Sequence, residues 1–151
     1  MDLSVRRKKT TMLKLMLVFL GGGLGSISRY GIGLLVARFT PTDLEPPHWL
    51  NLYPFATMLV NVIGCGLIGL AWAYAISRNQ ESSPAMLFLI VGILGGFTTF
   101  SSFGWETLEL IQNQRLGMAS VYVIMSLVFG LLGVFGGFTI GTAAFSTGAT
   151  A

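Results

Sequence analysis

Charge is what this chain has least of: 10% of its 151 residues are Asp, Glu, Lys or Arg, against roughly one quarter in soluble domains. With 53% hydrophobic residues, water cannot be the main solvent of a fold built from it. Cysteine is equally scarce. Cys65 is alone and lies in an apolar run, so an intrachain disulfide is excluded and the redox compartment stays open. Histidine occurs once, as His48 in a Pro-rich stretch. There is no Cys/His metal spacing, no carboxylate pair and no nucleophile-base-orienter set, so the chain does not read as an enzyme. The net charge of +3 does not indicate nucleic acid, because no basic face or aromatic reading surface lies outside the apolar segments. Poverty in titratable groups also argues against a proton-coupled pump and for passive permeation.

What is present is a set of long apolar runs. Crossing a bilayer core of about 30 Å takes roughly 20 apolar residues in a helix, and four stretches qualify: 12–38, 53–77, 84–113 and 117–144. They predict an all-α integral membrane protein with a four-helix transmembrane domain over 12–144, flanked by a basic N-terminal tail (1–11) and a polar C-terminal tail (145–151). A basic start followed by an apolar run resembles a signal peptide, but this run is too long for one and reads as a retained span. An even number of spans puts both termini on one side. That side carries Arg6, Arg7, Lys8, Lys9, Lys14 and Arg78, against Arg38 and Arg115 on the other, which places the termini in the cytoplasm. Without the four tail charges the sides balance at two each, so the core itself has almost no orientation preference. Gly133, Gly137 and Gly141, like Cys65 and Gly69, recur at helical spacing and predict close helix packing.

The third stretch is not a plain span. From Gly92 to Gly104 it puts paired glycines, Gly95 and Gly96, and paired threonines, Thr98 and Thr99, where the bilayer midplane would fall. These residues weaken a helix. A helix broken there frees carbonyls that lipid cannot satisfy, so irregular backbone at that depth implies a cavity or a bound ion. The alternative is an unbroken helix whose hydroxyls bond back to their own carbonyls. Phe100 and Phe103 stand three apart and share a helical face. They read either as packing or as a pair of positive ring edges able to meet a small anion. Asn61 falls mid-span one turn after Thr57, and Tyr122 and Ser126 repeat that spacing in the fourth stretch. Arg29 and Glu106 are the charges deepest in apolar sequence and are candidates on that ground. Arg29 alternatively extends to the interface.

The run from Gly21 to Tyr30, the positions Thr57 to Asn61 with Gly64, and the run from Gly95 to Phe103 together resemble the Fluc (CrcB) family of fluoride channels. The resemblance covers nearly all of the span region. It implies a dual-topology homodimer, made with an inverted second copy, in the cell (inner) membrane, letting cytoplasmic fluoride leave passively. It also implies a third helix broken in mid-membrane and a structural sodium ion held by the main-chain carbonyls of Gly95 and Thr98. Phe100 and Phe103 would contact fluoride, Asn61 would be a polar ligand, and Thr57, Tyr122 and Ser126 would line the pathway. Arg29 and Glu106 match charged family positions associated with the pore. Gly130 and Leu132 follow Ser126 where some relatives carry further hydroxyls. Two rivals remain: a small multidrug-type transporter, which depends on a carboxylate that the first stretch lacks, and a non-transporting membrane subunit.

Overall fold

The computed structural model describes residues 3–39 and 53–146. The Pro-rich connection with His48 and the last residues of the polar C-terminal tail lie outside the described residues. All regular structure among the described residues is helical: α1 (Leu3–Arg38), α2 (Tyr53–Ser77), α3 (Pro84–Met86), a π-helical segment (Leu87–Leu94), α4 (Gly95–Phe97), α5 (Phe100–Gln112) and α6 (Leu116–Ser146). The third stretch is thus assembled from four pieces. Together with the other helices it makes four segments long and apolar enough to cross a membrane, Lys9–Arg38, Pro54–Ser77, Pro84–Gln112 and Leu116–Phe145. Helix α1 begins at Leu3, well ahead of Met12, so the basic run at 6–9 continues the helix. Its 36 residues at about 1.5 Å each reach well past a hydrocarbon core of about 30 Å.

Short turns join the pieces. Helix α2 ends with Asn79 in the left-handed region (φ 50) and α5 with Gln114 (φ 59). In both turns the next backbone N–H reaches back five residues, Gln80 to the Ala75 carbonyl and Arg115 to the Leu110 carbonyl, each at 2.8 Å. This closure satisfies carbonyls that a helix end leaves bare. Ser83 starts the third stretch by accepting a hydrogen bond from the Met86 N–H at 3.2 Å, with Pro84 at the first helical position.

Lipid supplies no hydrophobic force between helices, so contact relies on backbones that can touch. Helix α2 packs along α6, and α1 along the third stretch. A Cβ at Gly137 would overlap the Gly66 carbonyl, and one at Gly133 would lie 3.1 Å from the Val62 carbonyl. The α1 seam is as tight: a Cβ on Gly21 would stand 2.8 Å from Gly92 Cα, and one on Gly25 2.7 Å from Phe97 N. Small apolar clusters fill the remaining space, Ala71 and Ala75 against Met86, Ile90 and Leu94, and Leu110, Ala119 and Tyr122 against Met58 and Phe103. The outer face is apolar, with Phe19 79% and Ile27 71% exposed. Such a surface needs lipid or another protein beside it.

Candidate functional site

The third stretch loses its helical bonding at two residues. Thr98 (φ −79, ψ 155) and Thr99 (φ −149, ψ 119) are extended, between α4 and α5. The Thr98 N–H and hydroxyl both donate to the Leu94 carbonyl, at 3.0 Å each. The back-bonded hydroxyl expected of an unbroken helix is therefore present, yet the backbone leaves the helix at that residue. A continuous helix would bring the Thr99 N–H to the Gly95 carbonyl and the Ser102 N–H to that of Thr98. Here the Thr99 N–H donates to Asn61 Oδ1 at 2.8 Å and the Ser102 N–H to Thr99 Oγ1 at 3.2 Å. Gly95 and Thr98 thus lose their helical donors, while Thr99 caps the new helix α5.

Two neighbouring helices hold this irregular backbone. From α2, Asn61 also donates its Nδ2 to the Thr99 carbonyl at 3.0 Å, so one amide side chain pairs with both backbone groups of Thr99. One turn along α2, Gly64 leaves the space that the Thr98 methyl fills; a Cβ there would overlap it. From α1, Arg29 Nε and Ser26 Oγ donate to the Gly96 carbonyl at 3.3 and 3.4 Å. Arg29 is therefore turned to the break rather than out along the helix.

A second polar cluster lies one to two turns into α5. Glu106, 4% exposed, accepts hydrogen bonds from Thr57 Oγ1 and Tyr122 OH, both at 2.6 Å. Three helices are tied by one carboxyl group. Phe103 stacks 5.3 Å from the Tyr122 ring and 5.5 Å from that of Phe100, which is itself 80% exposed. The rings thus step from the protein's outer face to its buried carboxyl group. One turn beyond Tyr122, the Ser126 hydroxyl oxygen is buried and has no hydrogen-bond partner among the described residues. A buried hydroxyl left so is destabilising by about 1–3 kcal/mol.

The structure brings Asn61, Thr98, Thr99 and Arg29 to one break, and Thr57, Phe103, Glu106 and Tyr122 to the adjoining cluster. The pairing of Glu106 with Thr57 and the aim of Arg29 at Gly96 were not legible, because they join residues 49 and 67 positions apart. The role of Ser26 was missed altogether; its place one turn before Arg29 was the available signal. No group of three or more His, Cys, Asp or Glu able to hold a metal occurs among the described residues. The donor set at the break is backbone carbonyl oxygen, which suits a hard cation such as sodium. Gly95 is exposed and Thr98 half-buried.

Four apolar helices, one of them interrupted and held open by polar side chains from its neighbours, define a multi-pass membrane protein of the channel or carrier class. The chain belongs to the CrcB-like family, whose model (CrcB-like protein, Camphor Resistance) matches residues 16–138. A Thermus thermophilus protein named Fluoride-specific ion channel FluC is 42% identical over 132 residues, covering 87% of this chain and 98% of that protein. Fluoride-specific ion channel FluC of Agrobacterium fabrum is 38% identical over 130 residues, 86% of this chain and 97% of that protein. Fluoride-specific ion channel FluC 2 of Nitrobacter hamburgensis is 37% identical over 125 residues, 83% and 94%. Membership of this family removes the multidrug-type alternative.

Proposed function

We propose that two copies of this chain, inverted relative to one another, form a fluoride-selective channel in the cell (inner) membrane through which cytoplasmic fluoride leaves passively. Family membership and the names of the relatives support the ion. The observation that carries the mechanism is the pair of extended residues, Thr98 and Thr99, inside an otherwise helical apolar segment. Set at mid-membrane, that break presents oxygen atoms that lipid cannot satisfy. The Gly95 and Thr98 carbonyls would hold a structural sodium at the dimer centre, which when bound offsets the mutual repulsion of carbonyl dipoles. One chain offers two such carbonyls, and an inverted copy doubles the set.

Fluoride is the base of a weak acid, so neutral HF enters through lipid and releases its proton in a less acidic cytoplasm. The trapped anion then needs a path. A potential negative inside favours its exit by about 2.3 kcal/mol per charge per 100 mV. Fluoride holds water tightly, so the path must replace hydration without binding so firmly that release fails. Ring edges of Phe100 and Phe103 are weak positive partners of that kind. Asn61, Thr57, Tyr122 and the unpartnered Ser126 hydroxyl line the rest of the route. Thr57 and Tyr122 direct their hydroxyls to Glu106, so along this stretch Glu106 orders the polar groups.

The test is anion efflux from liposomes holding the purified full chain, read in parallel with fluoride and chloride electrodes. Fluoride should leave rapidly while chloride stays. Equal release of both, or of neither, overturns the proposal, and the second result returns the chain to the class of non-transporting subunits.

A further inference from the structure

Positions 21, 25 and 29 of α1 recur every four residues and therefore share one face of the helix. Gly21 and Gly25 use that face to lay the α1 backbone on the third stretch: a Cβ on Gly21 would be 2.8 Å from Gly92 Cα, and one on Gly25 2.7 Å from Phe97 N. Gly96 answers from the other side, where a Cβ would stand 2.9 Å from Gly22 Cα. Arg29 is next in the same row, so backbone contact delivers its Nε to the Gly96 carbonyl at 3.3 Å. Ser26 adds a second donor at 3.4 Å. In a continuous helix the Phe100 N–H would bond Gly96, but the extended Thr98 and Thr99 carry Phe100 away. The end of a half-helix is also the negative end of its dipole, where a cation is favoured.

We propose that Arg29, backed by Ser26, is a positioning residue for the cation site at the break. By capping Gly96 it holds the end of α4 in the one register that leaves the neighbouring Gly95 and Thr98 carbonyls free for a cation. The inference rests on the sodium reading above and adds to it the residue that sets the site's affinity. The bond runs through Nε, and that identifies the informative variants. Arg29→Gln places an amide nitrogen the same number of bonds from the backbone and keeps a donor without the charge. Arg29→Met keeps the length and removes both.

The experiment measures thermal unfolding of the purified full-length protein against sodium concentration, with N-methyl-D-glucamine chloride holding ionic strength constant. Wild type should be stabilised by sodium; if it is not, the sodium reading itself falls, whatever the variants do. Given that stabilisation, Arg29→Met should raise the sodium midpoint tenfold or more, and Arg29→Gln should bind no more weakly than wild type. An unchanged midpoint in Arg29→Met, or equal weakening in both variants, overturns the proposal. Should Arg29→Met fail to assemble, Ser26→Ala is expected to raise the midpoint about threefold, and an unchanged midpoint there overturns it equally.

Discussion

Asn61 shows how much one side chain can do where the backbone departs from helix. Its amide offers an acceptor to the Thr99 N–H and a donor to the Thr99 carbonyl, which is the pairing a neighbouring strand would give. Asn61→Leu matches its bulk and supplies neither bond. The two stranded backbone groups should cost about 1–3 kcal/mol each, visible as a lower unfolding temperature together with loss of fluoride flux. Phe100 and Phe103 pose a different question, because neither ring holds the break. Phe100→Ile should leave assembly and unfolding temperature near wild type, Phe103→Ile should keep assembly with a modest loss of stability from the cluster it packs against, and each should abolish fluoride efflux. Full flux in both would reject a role for ring edges in conduction. Residue types in the sequence marked these positions, since an amide and a pair of phenyl rings near mid-span stand out against aliphatic neighbours. Their partners were not visible. Asn61 can serve as interhelical glue or as a ligand by composition alone, and only the approach of α2 to the break shows what its amide holds.

At the scale of elements, hydropathy located the four helices long and apolar enough to cross a membrane because crossing a bilayer sets a minimum length, and these helices differ from the expected bounds by a few residues. Two features escaped. The start of α1 at Leu3 did, because hydropathy bounds the apolar span and not the helix, and a helix already formed propagates readily through Lys and Arg. The π-helical segment Leu87–Leu94 did too, since apolar side chains carry no mark of whether an N–H reaches back four residues or five. The glycine seams were legible as spacing, though which helices they join was not. Gly25→Val tests the α1 seam. Its added atoms meet the backbone around Ile93 and Phe97, and overpacking of this kind costs about 1–3 kcal/mol. Because the same seam carries Arg29 to Gly96, the variant should lower both unfolding temperature and sodium stabilisation, whereas Gly31→Val, at a position with open space around it, should change neither.

For the whole molecule, the proposed dimer makes one chain half of the assembly. Its outer face carries large apolar side chains, and beside the break Gly95 and the Phe100 ring are exposed. With the break set at mid-membrane, as proposed, lipid would cover the aliphatic surface but not satisfy the carbonyls of Gly95 and Thr98. A second copy turned over in the membrane can bring an identical break to meet the first. The near-equal flanking charge of the core permits both insertions, while the four basic residues at 6–9 favour one of them. Removing them by Arg6→Gln, Arg7→Gln, Lys8→Gln and Lys9→Gln should equalise the two orientations, measured with Cys65 replaced by Ala and one cysteine introduced near the C-terminus, by its labelling with an impermeant reagent before and after the cells are opened.

Fluoride efflux with and without sodium tests most directly whether the interrupted helix is an ion site in the middle of a fluoride path. Liposomes holding the full chain should release fluoride within the electrode's response time in sodium, and should stop releasing it once sodium is replaced on both sides by N-methyl-D-glucamine. Fluoride release that is indifferent to sodium, with the protein intact, would contradict that role.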